Sequence, residues 1–221
     1  MSMNSPPLST RDLPAVIPVF PLPGVLLLPG AQLPLNIFEP RYLSMTDDAI
    51  KSNRIIGMIQ PSDTGTGLQD PPGLRPVGCA GKITQFGETG DGRYLMTLTG
   101  IARFRIVGEL ETLTPYRQCK IDFEEFAGDL IAETEDNIDR KAIINTLKQF
   151  TEKRNMRVDW SDIDEARTAV LINAMAMMGP FGPSEKQALL EAPDIRSRAD
   201  TLTAIIEFEL AQSAGSSSKL Q

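Results

Sequence analysis

Five prolines fall within the 23 residues from Val16 to Phe38 (VIPVFPLPGVLLLPGAQLPLNIF), a run that is otherwise almost wholly apolar. It is the one stretch with the hydrophobicity of a membrane anchor. A spanning helix must satisfy all of its backbone polar groups within the segment or against neighbours. Each internal proline removes a donor and collides with the preceding turn, so five of them leave no helix to insert. A central strand is excluded for a related reason, since proline cannot donate to a ladder. The run therefore predicts two short strands, 16–20 and 32–37, joined by a turn-rich excursion. Val25, Leu26, Leu27 and Leu28 in that excursion must either enter a core or form an exposed patch.

After this run the periodicity changes. Pro40 suits the first helical position, and Tyr42, Met45 and Ala49 share one face, so 40–52 reads as a helix. A buried strand at 55–60 follows, then a turn-rich loop at 61–76. Strands are expected at 81–86, 93–99, 101–108 and 116–123, where apolar and polar residues alternate or apolar residues dominate. Residues 14–126 thus predict a closed or nearly closed β-barrel domain with one inserted helix, preceded by a flexible arm, 1–13. Seven of the fifteen residues 122–136 are acidic and strand alternation stops there, which places a domain boundary after 126.

Residues 127–212 read as a helical domain. Ile143, Leu147 and Phe150 form one stripe. Ser161-x-x-Asp164 has the form of a capping box opening a single helix to Met177, which Gly179-Pro180 stops. Ser184-x-x-Gln187 is expected to cap a short helix, and Asp194 to begin the last one. The end, 213–221, reads as a flexible tail. The fold class is α+β.

The formal charge is −7. Residues 1–126 carry 11 basic against 13 acidic side chains, and residues 127–221 carry 11 against 16. Neither part has the basic surplus that phosphate backbones reward, which argues against nucleic acid as a partner. The chain has no histidine, which removes His-based nucleophile pairs, His general bases and His-containing zinc sites. Cys79 and Cys119 read as two buried thiols in a reducing compartment. The N-terminus lacks the pattern of a secretion signal.

Candidate sites are few. Gly73-x-x-x-x-Gly78 has the glycine spacing of a phosphate loop without its Lys-Ser/Thr, and Gly81-Lys82 has the lysine without the spacing. Ser184 and Lys186, two apart on a helix, point about 200° apart and cannot form a dyad. Glu124 and Glu125 read as solvated, and Arg103 and Arg105 as surface charge. Arg41 opposes the helix dipole at the start of its helix, so Glu39 and Arg41 are read as a structural ion pair that pins the helix to the barrel. No catalytic residue, metal site or cofactor is expected.

Several ordered motifs carry a family resemblance. They are Ile17-Pro-Val-Phe-Pro-Leu22, Leu28-Pro-Gly30, Leu33-Pro-Leu-Asn-Ile-Phe-Glu-Pro-Arg-Tyr42, Ile56-Gly-Met58, Pro76-Val-Gly-Cys-Ala80, Gly92-Arg-Tyr94, Gly100-Ile-Ala-Arg-Phe-Arg105 and Tyr116-Arg117. Together they resemble the amino-terminal domain of Lon proteases over about residues 14–210. The resemblance implies a PUA-like β pseudo-barrel followed by a C-terminal α-helical bundle. It implies a stand-alone Lon-domain protein without the ATPase and Ser-Lys protease modules, and a substrate-recognition role.

The function expected on these grounds is non-catalytic binding of unfolded or degron-bearing polypeptides in cytoplasmic protein quality control. A protease complex and self-association are possible partnerships, and the alternative is a PUA-like RNA-binding module. Binding would combine an apolar groove with strand addition at an open barrel edge. Val25, Leu26, Leu27 and Leu28 are the expected apolar lip.

Overall fold

The computed structural model describes residues 9–62, 72–131, 138–156 and 160–217. The chain divides into two compact units, Met1–Ala132 and Glu133–Gln221.

The first unit is a mixed six-stranded sheet with β1 (Val16–Pro21), β2 (Gln32–Ile37), β3 (Ile55–Ile59), β4 (Val77–Glu88), β5 (Tyr94–Leu110) and β6 (Gln118–Asp122). The order is β2-β5-β4-β3-β1-β6, and a further β5–β6 pairing closes five of the six strands into a ring. Only β1–β3 is parallel. The two strands expected at 93–99 and 101–108 are one strand, β5. Gly81 pairs with Gly100 and Ala80 with Ala102, which leaves Ile101 as the extra residue of a bulge. Such a bulge bends a strand without ending it. Beyond it, the first half of β5 leaves the barrel and pairs with β2 and the end of β4. These three strands form a flap.

The barrel core contains Ile17, Val19, Ile55, Ile59, Phe104, Cys119, Ile121 and Phe123. Phe104 fits because Gly57 and Gly78 lack side chains: a Cβ on Gly78 would stand 2.6 Å from its ring. The helix α1 (Pro40–Ile50) starts with proline in its first turn and buries Tyr42, Met45, Thr46 and Ala49, the face its spacing predicts. It covers one side of the flap, where Thr46 Oγ1 lies 4.0 Å from Met96 sulfur. The Tyr116 hydroxyl donates to Asp48 at 2.8 Å.

Glu124 and Glu125 are exposed, as expected, but the described part of the acidic segment after β6, 123–131, is folded against the sheet. A short 3-10 helix at Glu124–Leu130 packs on β5. Arg103, expected at the surface, is buried, and its Nε and Nη2 reach the Asp129 carboxylate at 2.9 and 2.7 Å. The same carboxylate accepts the Arg103 backbone N–H at 2.8 Å. Arg103 and Asp129 side chains are 4% and 8% exposed. The neighbouring Arg105–Glu125 pair, at 45% and 48%, stays in water. Glu124 accepts from the Thr10 hydroxyl at 2.7 Å, so the described part of the expected arm turns back onto the barrel. Residues 1–8 lie outside the described residues.

The second unit contains α2 (Arg140–Lys153), α3 (Trp160–Glu165), α4 (Thr168–Met178), α5 (Pro183–Glu191) and α6 (Ile195–Ser217). The single helix expected from Ser161 is two. Arg140 donates to the Ile163 carbonyl and the Thr168 hydroxyl, and extended Arg167 precedes α4. Ser161 falls within the span of α3. Gly182, not Ser184, caps α5, with Pro183 in its first turn. Asp194 does cap α6, accepting the Ser197 N–H at 2.7 Å. Part of the expected tail is helical, because α6 runs to Ser217. Within this core Arg198 is only 1% exposed, and its guanidinium donates to the Leu189 carbonyl and the Asn173 side chain, both at 3.0 Å.

A buried pair is costly to break from one side. Asp129→Ala should destabilise the first unit by about 3–5 kcal/mol in urea unfolding. Glu125→Ala, on the exposed pair, should cost about 0–1 kcal/mol.

Candidate edge-strand site

Closing a barrel removes its strand edges, but β2 lies outside the ring. It pairs with β5 alone and stands at the end of the sheet order, so among the described residues no strand pairs with its far side. The direction of its backbone groups follows from the first pairing. Gly100 N–H donates to the Ala31 carbonyl and its own carbonyl accepts from Gly30 N–H. The register Leu33↔Leu98, Leu35↔Met96 and Ile37↔Tyr94 then turns those residues toward β5. Gln32, Pro34 and Asn36 turn their backbone groups to the open side, and all three are exposed. Pro34 is tolerated in the strand for this reason: its missing donor faces outward.

The face of the flap away from α1 carries two cross-strand rows. Pro34, Thr97 and Gln85 form one, and Asn36, Leu95 and Gly87 the other. They line a shallow groove of about 490 Å³ in which none of the nine lining residues is charged. Its apolar lining includes Pro34 and Leu95, the latter 53% exposed. The Thr97 hydroxyl is satisfied by Gln85 Oε1 at 3.0 Å. This is a surface for burying apolar groups and pairing backbone, without an acid, base or nucleophile.

The residues nominated from sequence lie elsewhere. Leu26, Leu27 and Leu28 are 2%, 1% and 0% exposed, so the expected exposed lip is a correction: the excursion folds inward. The Leu28 carbonyl lies so close to β5 that a Cβ on Gly100 would approach it to 2.0 Å. Val25 is partly buried beside them. Glu39 and Arg41 do form an ion pair, at 2.8 Å. Both are well exposed and two residues apart, and the Arg41 guanidinium lies over the neighbouring Tyr42 ring at 4.6 Å. The pair therefore stiffens the start of α1 rather than pinning it to the barrel.

The other motifs are structural. Gly78, Gly81 and Lys82 all lie within β4, where no loop can cradle phosphate. Ser184 is exposed whereas Lys186 is buried, with its amine on the Met177 carbonyl at 2.9 Å. Burial lowers the Lys186 pKa, and burial also pushes the Cys119 thiol up to about 11. Among the described residues no group of acidic and cysteine side chains could hold a metal ion. No helix among them is long and apolar enough to cross a membrane.

The model of the ATP-dependent protease La (LON) substrate-binding domain matches residues 16–207 of this chain. The chain belongs to that family. Lon protease 2 of Myxococcus xanthus is 26% identical over 203 residues, covering 86% of this chain and 23% of the relative. Lon protease of Parabacteroides distasonis is 29% identical over 205 residues, covering 87% and 24%. The chain thus spans about a quarter of the length of these Lon relatives. Two solved structures share the fold. The Lon N-terminal domain protein from Xanthomonas campestris has a TM-score of 0.61 at 21% identity, covering 86% of this chain and 97% of that one. The N-terminal domain of the Mycobacterium avium complex Lon protease has a TM-score of 0.62 at 17% identity, covering 87% and 98%.

Within this Lon-type domain, Leu28→Ala should destabilise by about 2–5 kcal/mol in denaturant unfolding, the cost of a cavity in a packed core. Leu113→Ala, at a fully exposed leucine, should stay within about 0.5 kcal/mol.

Proposed function

We propose that this chain recognises extended segments of other polypeptides by strand addition at β2, with client side chains entering the groove between Pro34 and Leu95. The observation that carries this reading is the open β2 edge beside an uncharged, partly apolar groove. Backbone pairing supplies affinity for any extended chain, and the groove favours apolar side chains over charged ones. Membership in the Lon substrate-binding family supports a substrate-recognition role. The natural clients are unfolded or degron-bearing chains in cytoplasmic protein quality control, delivered to a protease complex or held apart from one. The module does this without a cofactor and without chemistry of its own. RNA is the weaker reading, because the groove carries no lysine or arginine and the net charge is −7.

The test is fluorescence anisotropy with a labelled, reduced and carboxymethylated protein as client. Asn36→Pro removes an outward N–H, and Leu95→Asp places a charge in the groove. Each should weaken binding by about tenfold, while Leu113→Asp leaves it unchanged. Wild-type affinity in folded Asn36→Pro and Leu95→Asp variants would remove the flap from the account. Tighter, salt-sensitive retention of RNA would favour the alternative.

A further inference from the structure

The edge of β2, unpaired among the described residues, presents outward N–H groups at Gln32 and Asn36, carbonyls at all three outward positions, and no donor at Pro34 in the middle. That gap weighs differently on two kinds of incoming strand. A foreign antiparallel strand forfeits one hydrogen bond, the one its carbonyl would take from position 34, and still donates to the Pro34 carbonyl. A second copy of β2 must approach about a two-fold axis, with each chain presenting the same surface. Whether position 34 then meets itself, 32 or 36, symmetry counts the missing donor twice. Self-pairing with at least two outward positions engaged therefore always loses two bonds, and in the central register two pyrrolidine rings face each other.

The flap has reason to need such a device. Leu95, Phe86 and nearby Phe38 are 53%, 42% and 61% exposed, and an open edge flanked by apolar groups is a template for edge-to-edge association. Resting on the reading of β2 as a client edge, we infer that Pro34 is its specificity-determining residue, admitting one extended foreign segment and refusing a second β2. The chemistry that recognises the partner is its backbone, and the chemistry that rejects a sister chain is the absent N–H.

The variant that tests this is Pro34→Val, which restores the outward donor and adds a strand-favouring side chain. Sedimentation velocity of the full chain over a concentration series, with no client present, should show self-association roughly thirtyfold tighter than wild type, the worth of two restored hydrogen bonds. Adding Asn36→Pro to Pro34→Val should return the profile to that of wild type, which assigns the association to this edge. Pro34→Ala restores the donor with less change in side chain and covers the case in which valine disturbs the fold. If the folded variants sediment as wild type at every concentration, or if Asn36→Pro leaves their association intact, the inference is overturned. Because the measurement contains no client, Pro34 can fail this test while wild-type client binding stands, and the reverse also holds.

Discussion

The bulge at Ile101 lets one 17-residue strand, β5, serve two parts of the sheet with opposite fates, the barrel and the flap. Its second half pairs with β4 through Ala102–Arg105 and with β6 through Arg105–Leu110, and so helps close the barrel. Its first half is carried outward by the bend, where it holds β2. Were β5 straight, its first half would continue along the ring and β2 would have no separate place to hang. The open edge is thus a product of curvature in a neighbouring strand.

That bent strand is held by charge as well as by ladder hydrogen bonds. Asp129 grips both the side chain and the backbone N–H of Arg103, so the 3-10 helix after β6 is fastened to β5 just past the bulge. The Arg103 guanidinium lies over the Phe126 ring at 4.6 Å, which gives the buried cation a second favourable contact. The helical unit uses a related solution, with the Arg198 guanidinium held by a carbonyl and an amide oxygen. In both units a buried cation receives matched acceptors, the condition under which burying charge is tolerated.

Much of the fold was legible along the chain because local rules decide it. Pro40 and the Tyr42–Met45–Ala49 spacing predict α1, and Gln32–Ile37 forms β2 with the bounds expected from its sequence. Errors arose where a distant residue overrode the local pattern. Nothing near Ala166 marks a helix break, because the residue holding it is Arg140, on another helix. Arg103 read as surface charge because its carboxylate stands 26 residues away, in a run whose acidity suggested a domain boundary. The leucines 26–28 read as a lip because inward and outward turns have the same local sequence.

The candidate site divides along the same line. By itself the sequence determined that the proline-broken apolar run could not be a membrane helix. It also determined that Pro34 could sit only where a missing N–H does no harm, since that follows from one residue's covalent structure. Its exclusion of a central strand is corrected by β1, which carries Pro18 and lies between β3 and β6, its first half pairing with β6 and its second with β3. Tertiary structure alone decided that the leucines of the run enter the core and that the open edge falls on β2. It also decided that Leu95, 59 residues from Asn36, stands directly opposite it on the exposed face. Those outcomes depend on strand register and on the bend at Ile101, which are settled by pairing between distant segments and leave no periodic trace within any one of them.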